Sequence, residues 1–67
     1  MKVKYTLKSK GAESRYKMKV GDYVVLDGLS GVHTIPKNGQ LKAAIEEKFG
    51  VKISPTPQSS NFDREKA

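Results

Sequence analysis

Apolar and basic side chains alternate along most of the first 20 residues of the chain. The alternation runs through residues 2–8 and again through residues 15–20. A period of two is typical of a β-strand with one buried and one exposed face. The polar segment between the two runs, residues 9–14, contains Gly11 and predicts a loop. The pattern therefore predicts two amphipathic strands with basic outward faces.

Shorter β-prone runs farther along the chain predict additional strands. Gly21-Asp22 suits a two-residue hairpin turn that leads into a third strand at residues 23–26. Residues 32–35 and 51–53 are candidates for a fourth and a fifth strand. Successive hairpins of this kind predict an antiparallel β-meander.

One segment has the pattern of an amphipathic helix. Asn38 is a candidate N-cap, and Gly50 is a candidate left-handed residue just after the helix. Between them, one apolar stripe is formed at helical spacing by Leu41, Ala44, Ile45 and Phe49. We therefore predict an α+β fold in which a small antiparallel meander of three to five short strands packs on one α-helix. The sheet is expected either to stay open or to curl into a small barrel.

The composition of the chain changes after Ile53. Residues 54–60 are rich in proline and serine, and residues 61–67 are polar apart from Phe62. Such a segment does not build a core of its own. A chain of 67 residues has room for one small domain at most. We expect residues 1–53 to form this α+β domain and residues 54–67 to form a flexible, disordered tail.

The net charge of +6 lies entirely in the first 20 residues. They carry seven basic side chains and one acidic side chain, whereas residues 21–67 carry six of each. The register that keeps the apolar sets on one face pairs Lys4 with Lys19 and Lys8 with Arg15. Like charges opposed in this way destabilise a sheet, and a bound polyanion would relieve them. Protection of a sheet edge by lysines would explain the first strand, and it would explain the second strand less well, because that strand would be central.

This charge pattern leads us to interpret the chain as a non-enzymatic nucleic-acid-binding protein, with RNA or DNA as the partner. The expected phosphate contacts come from the basic hairpin face and from the loop before the helix: Lys2, Lys4, Lys8, Arg15, Lys17, Lys19 and Lys37. The predicted register places Tyr5, Tyr16 and Tyr23 on the core face. We therefore expect contacts to the backbone and no stacking on bases.

An acidic protein surface is the alternative partner. In that interpretation the chain is a small inhibitor or adaptor, of the size encoded by phages and mobile elements. Its basic face docks on the partner with Val24 and Leu26 at the apolar centre. A homodimer formed through a free edge strand is compatible with either partner.

Catalysis and metal binding have little support in the sequence. His33 is the only histidine, and a role as general base beside Ser30 would rest on that one side chain. Without cysteine and with scattered carboxylates, no metal site and no cofactor are expected. No apolar run approaches the roughly 20 residues of a membrane span, and no signal-peptide stretch is present. We expect a soluble, cytoplasmic protein without a membrane partner.

Overall fold

The sheet consists of three antiparallel strands and is open. The computed structural model of the chain describes residues 1–37 and 39–67. Its elements in chain order are β1 (Val3–Leu7), α1 (Glu13–Tyr16), β2 (Tyr23–Leu26), α2 (Gln40–Phe49) and β3 (Phe62–Lys66), with 3-10 turns at Lys10–Ala12 and Ser59–Asn61. The strand order is β2-β1-β3. The prediction of a small antiparallel α+β fold is confirmed, and the described strands form no closed barrel.

Strand β1 is central, and its odd-numbered side chains point into the core. Val3 lies opposite Leu26, and Tyr5 lies opposite Val24 on β2. Strand β3 pairs with the other edge of β1, where Phe62 lies opposite Leu7 and also points into the core. All of these side chains are buried, so the amphipathic pattern of residues 2–8 correctly identified a strand and its inner face.

Helix α2 agrees closely with its sequence pattern. Leu41 and Ile45 are buried, and the remaining two members of the predicted stripe are half-buried against the core. Gly50 ends the helix with φ 64°, and its N–H donates to the carbonyl of Glu46. The predicted N-cap, Asn38, lies outside the described residues, and Gly39 occupies the N-cap position with φ 83°. The helix packs against β2.

The prediction of a strand at residues 15–20 is wrong. Ala12 and Tyr16 are both buried and lie four residues apart, which is the spacing of one helical face. Lys17 then adopts a left-handed conformation, φ 53°, and returns Met18 to the core. A helical turn with a left-handed end therefore reproduces the alternation of buried and exposed residues that a strand would give. A turn over residues 19–22, in place of the expected two-residue hairpin, then leads into β2.

The change in pairing also reverses the faces of β2. Because β1 is its partner, Val24 and Leu26 point into the core, and Tyr23 and Val25 point outward. The prediction that Tyr23 lies on the core face is therefore wrong. The expected strands at residues 32–35 and 51–53 are absent among the described residues, although Ile53 is buried.

The structure also differs from the expected flexible tail over residues 54–67. Phe62–Lys66 form an edge strand along β1, and Phe62 is only 2% exposed. Its ring stacks on Tyr16, with centroids 5.8 Å apart and planes 8° from parallel, and meets Tyr5 edge-on. The buried ring and the backbone pairing with β1 both attach this polar segment to the domain.

Two buried tyrosines provide a test of this attachment. The Tyr16 hydroxyl oxygen accepts hydrogen bonds from the Gln58 backbone N–H at 2.9 Å and from the Asn61 side-chain amide at 3.0 Å. The Tyr5 hydroxyl is buried without a hydrogen-bond partner in the described chain. We expect Tyr16→Phe to lower the free energy of unfolding by about 1–3 kcal/mol, since two donors lose their acceptor. Tyr5→Phe should be neutral or stabilising.

Urea denaturation at neutral pH measures both changes, and equal effects of the two substitutions would contradict the assignment. Tyr5 also has a signature at alkaline pH. Burial raises the pKa of Tyr5 above 10.0, although the Arg64 charge opposes the rise. As the pH rises, the Tyr5 hydroxyl therefore loses its proton in the unfolded chain before it does so in the folded one. The free energy of unfolding falls for this reason as the pH rises above about 10. Tyr5→Phe should remove that part of the alkaline loss of stability.

Candidate nucleic-acid interface

Two of the predicted phosphate-binding lysines lie beside acidic side chains. Lys4 is opposite Glu65 on β3, with Nζ and Oε1 3.9 Å apart, and Lys8 Nζ lies 3.7 Å from Asp63 Oδ1. The predicted pairs Lys4–Lys19 and Lys8–Arg15 are wrong because residues 15–20 are not in the sheet. These exposed ion pairs contribute little to stability, but they reduce the positive potential along β1.

Most of the remaining predicted cations lie in the connection between β1 and β2. We call this connection, residues 8–22, the cationic loop. Its five basic side chains are all exposed: Lys8, Lys10, Arg15, Lys17 and Lys19. The last four form no ion pair within the part of the chain that the structure describes. Sequence reasoning named Arg15, Lys17 and Lys19, and the structure adds Lys10.

The acidic residues of the cationic loop are engaged by its backbone. Glu13 Oε2 accepts a hydrogen bond from the Val20 N–H at 2.8 Å. Asp22 Oδ2 accepts one from the Lys19 N–H at 3.0 Å. These carboxylates hold the turn that follows α1, and among the described residues neither pairs with a lysine or arginine side chain. The cationic loop therefore presents its positive side chains to solvent, while both of its carboxylates accept hydrogen bonds from its own backbone.

Lys17, the left-handed residue at the end of α1, keeps its own side chain exposed between two buried ones. Tyr16 and Met18 are buried on either side of it, and Lys17 between them is exposed. A side chain in this conformation carries a steric cost that glycine would avoid. The position thus holds a lysine where glycine would be the more favourable residue for the fold.

Lys2 and Lys37 lie apart from the cationic loop in the chain. Lys2 is exposed just before β1, where its carbonyl accepts a hydrogen bond from the Ala67 N–H. Lys37 is exposed in the connection between β2 and α2, and it lines an open groove of about 340 Å³ with Lys42 and Thr56. Nothing in the described structure joins Lys37 to the basic residues of the cationic loop.

Tyr23 is a candidate residue that sequence reasoning missed. We call the sheet surface opposite the core the outer face; it carries Lys4, Thr6, Tyr23, Val25, Asp63 and Glu65. Tyr23 is 42% exposed there, directly after the turn that closes the cationic loop. The Lys4 and Lys48 ammonium groups lie 4.4 and 3.5 Å from the centroid of its ring. One feature of the sequence could have indicated the exposure of Tyr23. Val24 and Leu26 are aliphatic, and if both are buried, Tyr23 on the same strand must face outward.

No second type of site emerges around His33. Its side chain is exposed in the connection between β2 and α2. Within residues 1–37 and 39–67, no group of three or more histidine, cysteine or carboxylate side chains is arranged to hold a metal ion. The described helices are all too short and too polar to cross a bilayer.

Comparison of the chain with protein-family models, with curated proteins and with solved structures returns no match. The assignment of a function therefore depends on the residues and geometry described above.

Proposed function

We propose that the chain is a non-enzymatic nucleic-acid-binding protein whose cationic loop contacts the phosphate backbone. The single observation that supports this most strongly is the charge arrangement of the loop. Four exposed cations have no ion-pair partner in the described structure, and both neighbouring carboxylates bind backbone N–H groups. Such a surface attracts polyanions and offers little to distinguish one base from another.

The seven residues predicted to bind phosphate do not contribute equally in this proposal. Arg15, Lys17 and Lys19 become the principal phosphate ligands, with Lys10 beside them. Lys4 and Lys8 have acidic neighbours on β3, so a nucleic acid would have to compete for them. Lys2 and Lys37 contribute at most to longer ligands that extend beyond the loop. We propose the cytoplasm as the place of this activity.

A salt titration of binding tests the proposal. Fluorescence anisotropy with labelled single- and double-stranded oligonucleotides should show affinity that falls steeply between about 50 and about 200 mM salt. Four phosphate contacts on a single strand correspond to a slope of log K against log salt of about −3. Poly-glutamate of matched length is the control for attraction to any polyanion. Absence of binding to every oligonucleotide at the lowest salt would overturn the proposal.

The alternative of an acidic protein partner loses one of its supports. Val24 and Leu26, its expected apolar centre, are buried in the core. A pull-down from nuclease-treated lysate separates the two functions, because a stoichiometric protein partner that survives the nuclease would favour the adaptor. Sedimentation measures the mass of the protein in solution and so tests whether it forms a homodimer through a free edge of the sheet.

A further inference from the structure

The outer face of the sheet is divided into an acidic side and an aromatic side. One row across it runs from Glu65 through Lys4 to Val25, and the next runs from Asp63 through Thr6 to Tyr23. The carboxylates on β3 repel a phosphate backbone. The β2 side carries no acidic side chain in the strand and joins the cationic loop directly. Although Glu47 of α2 lines a groove beside β2 with Val25 and Lys48, the path along β2 is the less acidic one for a polyanion that binds the loop.

Tyr23 is the first side chain that such a ligand meets beyond the loop. Its ring is nearly half exposed, and Val25, 43% exposed, extends the apolar surface along the same face. The two lysines over the ring come from different elements, β1 and α2. Both ammonium groups lie over the ring, so a base that stacks there takes the place of one of them and brings its flanking phosphates close to both lysines.

We propose that a single-stranded nucleic acid stacks a base on Tyr23 while its flanking phosphates bind Lys4, Lys48 and the cationic loop. This inference rests on the proposed function and deepens it by naming the form of the ligand. Stacking needs an unpaired base, since the faces of paired bases are covered within a duplex. Lys4 Nζ lies 3.9 Å from Glu65 Oε1, and Lys48 Nζ donates a hydrogen bond to the Tyr23 carbonyl. The flanking phosphates therefore compete with these two contacts as the base displaces an ammonium group from the ring.

A ligand that uses this whole surface needs a planar group to stack on the Tyr23 ring and anionic groups to bind the lysines. An acidic peptide would match the lysines but would leave the ring without a stacking partner of comparable area. Stacking also tolerates every base, so we expect little sequence preference. Single-stranded oligonucleotides should therefore bind more tightly than duplexes of the same length and sequence.

The experiment compares a base-bearing oligonucleotide with an abasic one of the same length. Both carry the same phosphates, so the abasic strand reports the backbone contacts and the difference reports stacking. We expect Tyr23→Ala to weaken binding of the base-bearing strand by about 5- to 140-fold and to leave the abasic strand unchanged. Tyr23→Phe should retain wild-type affinity. Ile35→Ala, which removes another exposed apolar side chain, is the matched control.

A second measurement is independent of the stability of the alanine variant. The chain contains no tryptophan, so Tyr23→Trp introduces a single fluorescent reporter. Its emission should be quenched by the base-bearing strand and not by the abasic one. Equal affinity of wild type for the two strands, absence of this quenching, or equal binding of a duplex would overturn the stacking proposal. Failure of the abasic strand to bind at low salt would instead count against the proposed function itself.

Discussion

Replacing Phe62 with alanine should lower the free energy of unfolding by about 3–5 kcal/mol. Its ring packs on Tyr16 and Tyr5, and it is the residue through which β3 reaches the core. Removing it leaves a cavity between these rings and frees the edge strand. A domain of this size has only a small total stability, so we expect much of the population to unfold at room temperature. Thermal and urea denaturation followed by circular dichroism measure the loss.

The only other phenylalanine provides the matched control. Phe49 lies at the end of α2 and is half-buried, so Phe49→Ala should cost markedly less. Hydrogen exchange adds local information, because the amides of β1 that bind β3 should lose protection in the Phe62 variant. If Phe62→Ala costs no more than Phe49→Ala, residues 54–67 would be the flexible tail that their composition suggests.

Removing three cations from the cationic loop should produce the largest functional effect. We expect the variant Arg15→Gln, Lys17→Gly, Lys19→Gln to bind single strands on the order of 100-fold more weakly at about 50 mM salt. The salt slope should decrease in magnitude by about 2, since about 0.7 counterion is released per contact with a single strand. Anisotropy titrations at several salt concentrations measure both quantities.

Glycine at position 17 keeps this test free of a folding artefact. Lys17 is left-handed, and glycine there should raise the free energy of unfolding by about 0.5–1 kcal/mol. The variant is therefore expected to lose affinity while the fold stays at least as stable. The control variant Lys42→Gln, Lys52→Gln, Lys66→Gln removes the same charge outside the loop. Equal losses in the two variants would mean that net charge, and no particular surface, determines binding.

Some of the fold follows directly from local patterns. Strand β1 and helix α2 were predicted correctly because each has a sustained period, with inward residues such as Tyr5 and Ile45 at every position that the period requires. The segment at residues 15–20 was misassigned because Lys17 is left-handed. One residue of this kind turns the end of a helix into the same buried–exposed alternation that a strand produces.

Strand β3 was missed for a different reason. Its sequence is almost wholly polar, and its position depends on pairing with β1 and on the burial of Phe62. Neither can be recognised without the rest of the fold. The candidate site was predicted in part, since the location of the excess charge is a property of the sequence. The ion pairs of Lys4 and Lys8 depend on the strand register and could not be predicted. The exposure of Tyr23 also depends on the register, and the aliphatic pair Val24 and Leu26 was its only signal in the sequence.

The strand order has a consequence for how the chain reaches this state. The central strand is the earliest of the three to be synthesised, and one of its neighbours is the latest. Until Phe62–Lys66 have left the ribosome, one edge of β1 has no partner, and the rings that Phe62 covers are open to water. Contacts between distant parts of a chain form slowly, so this domain should complete its sheet late and cooperatively. During that interval, the unpaired edge of β1 is where a nascent chain would first associate with its neighbours.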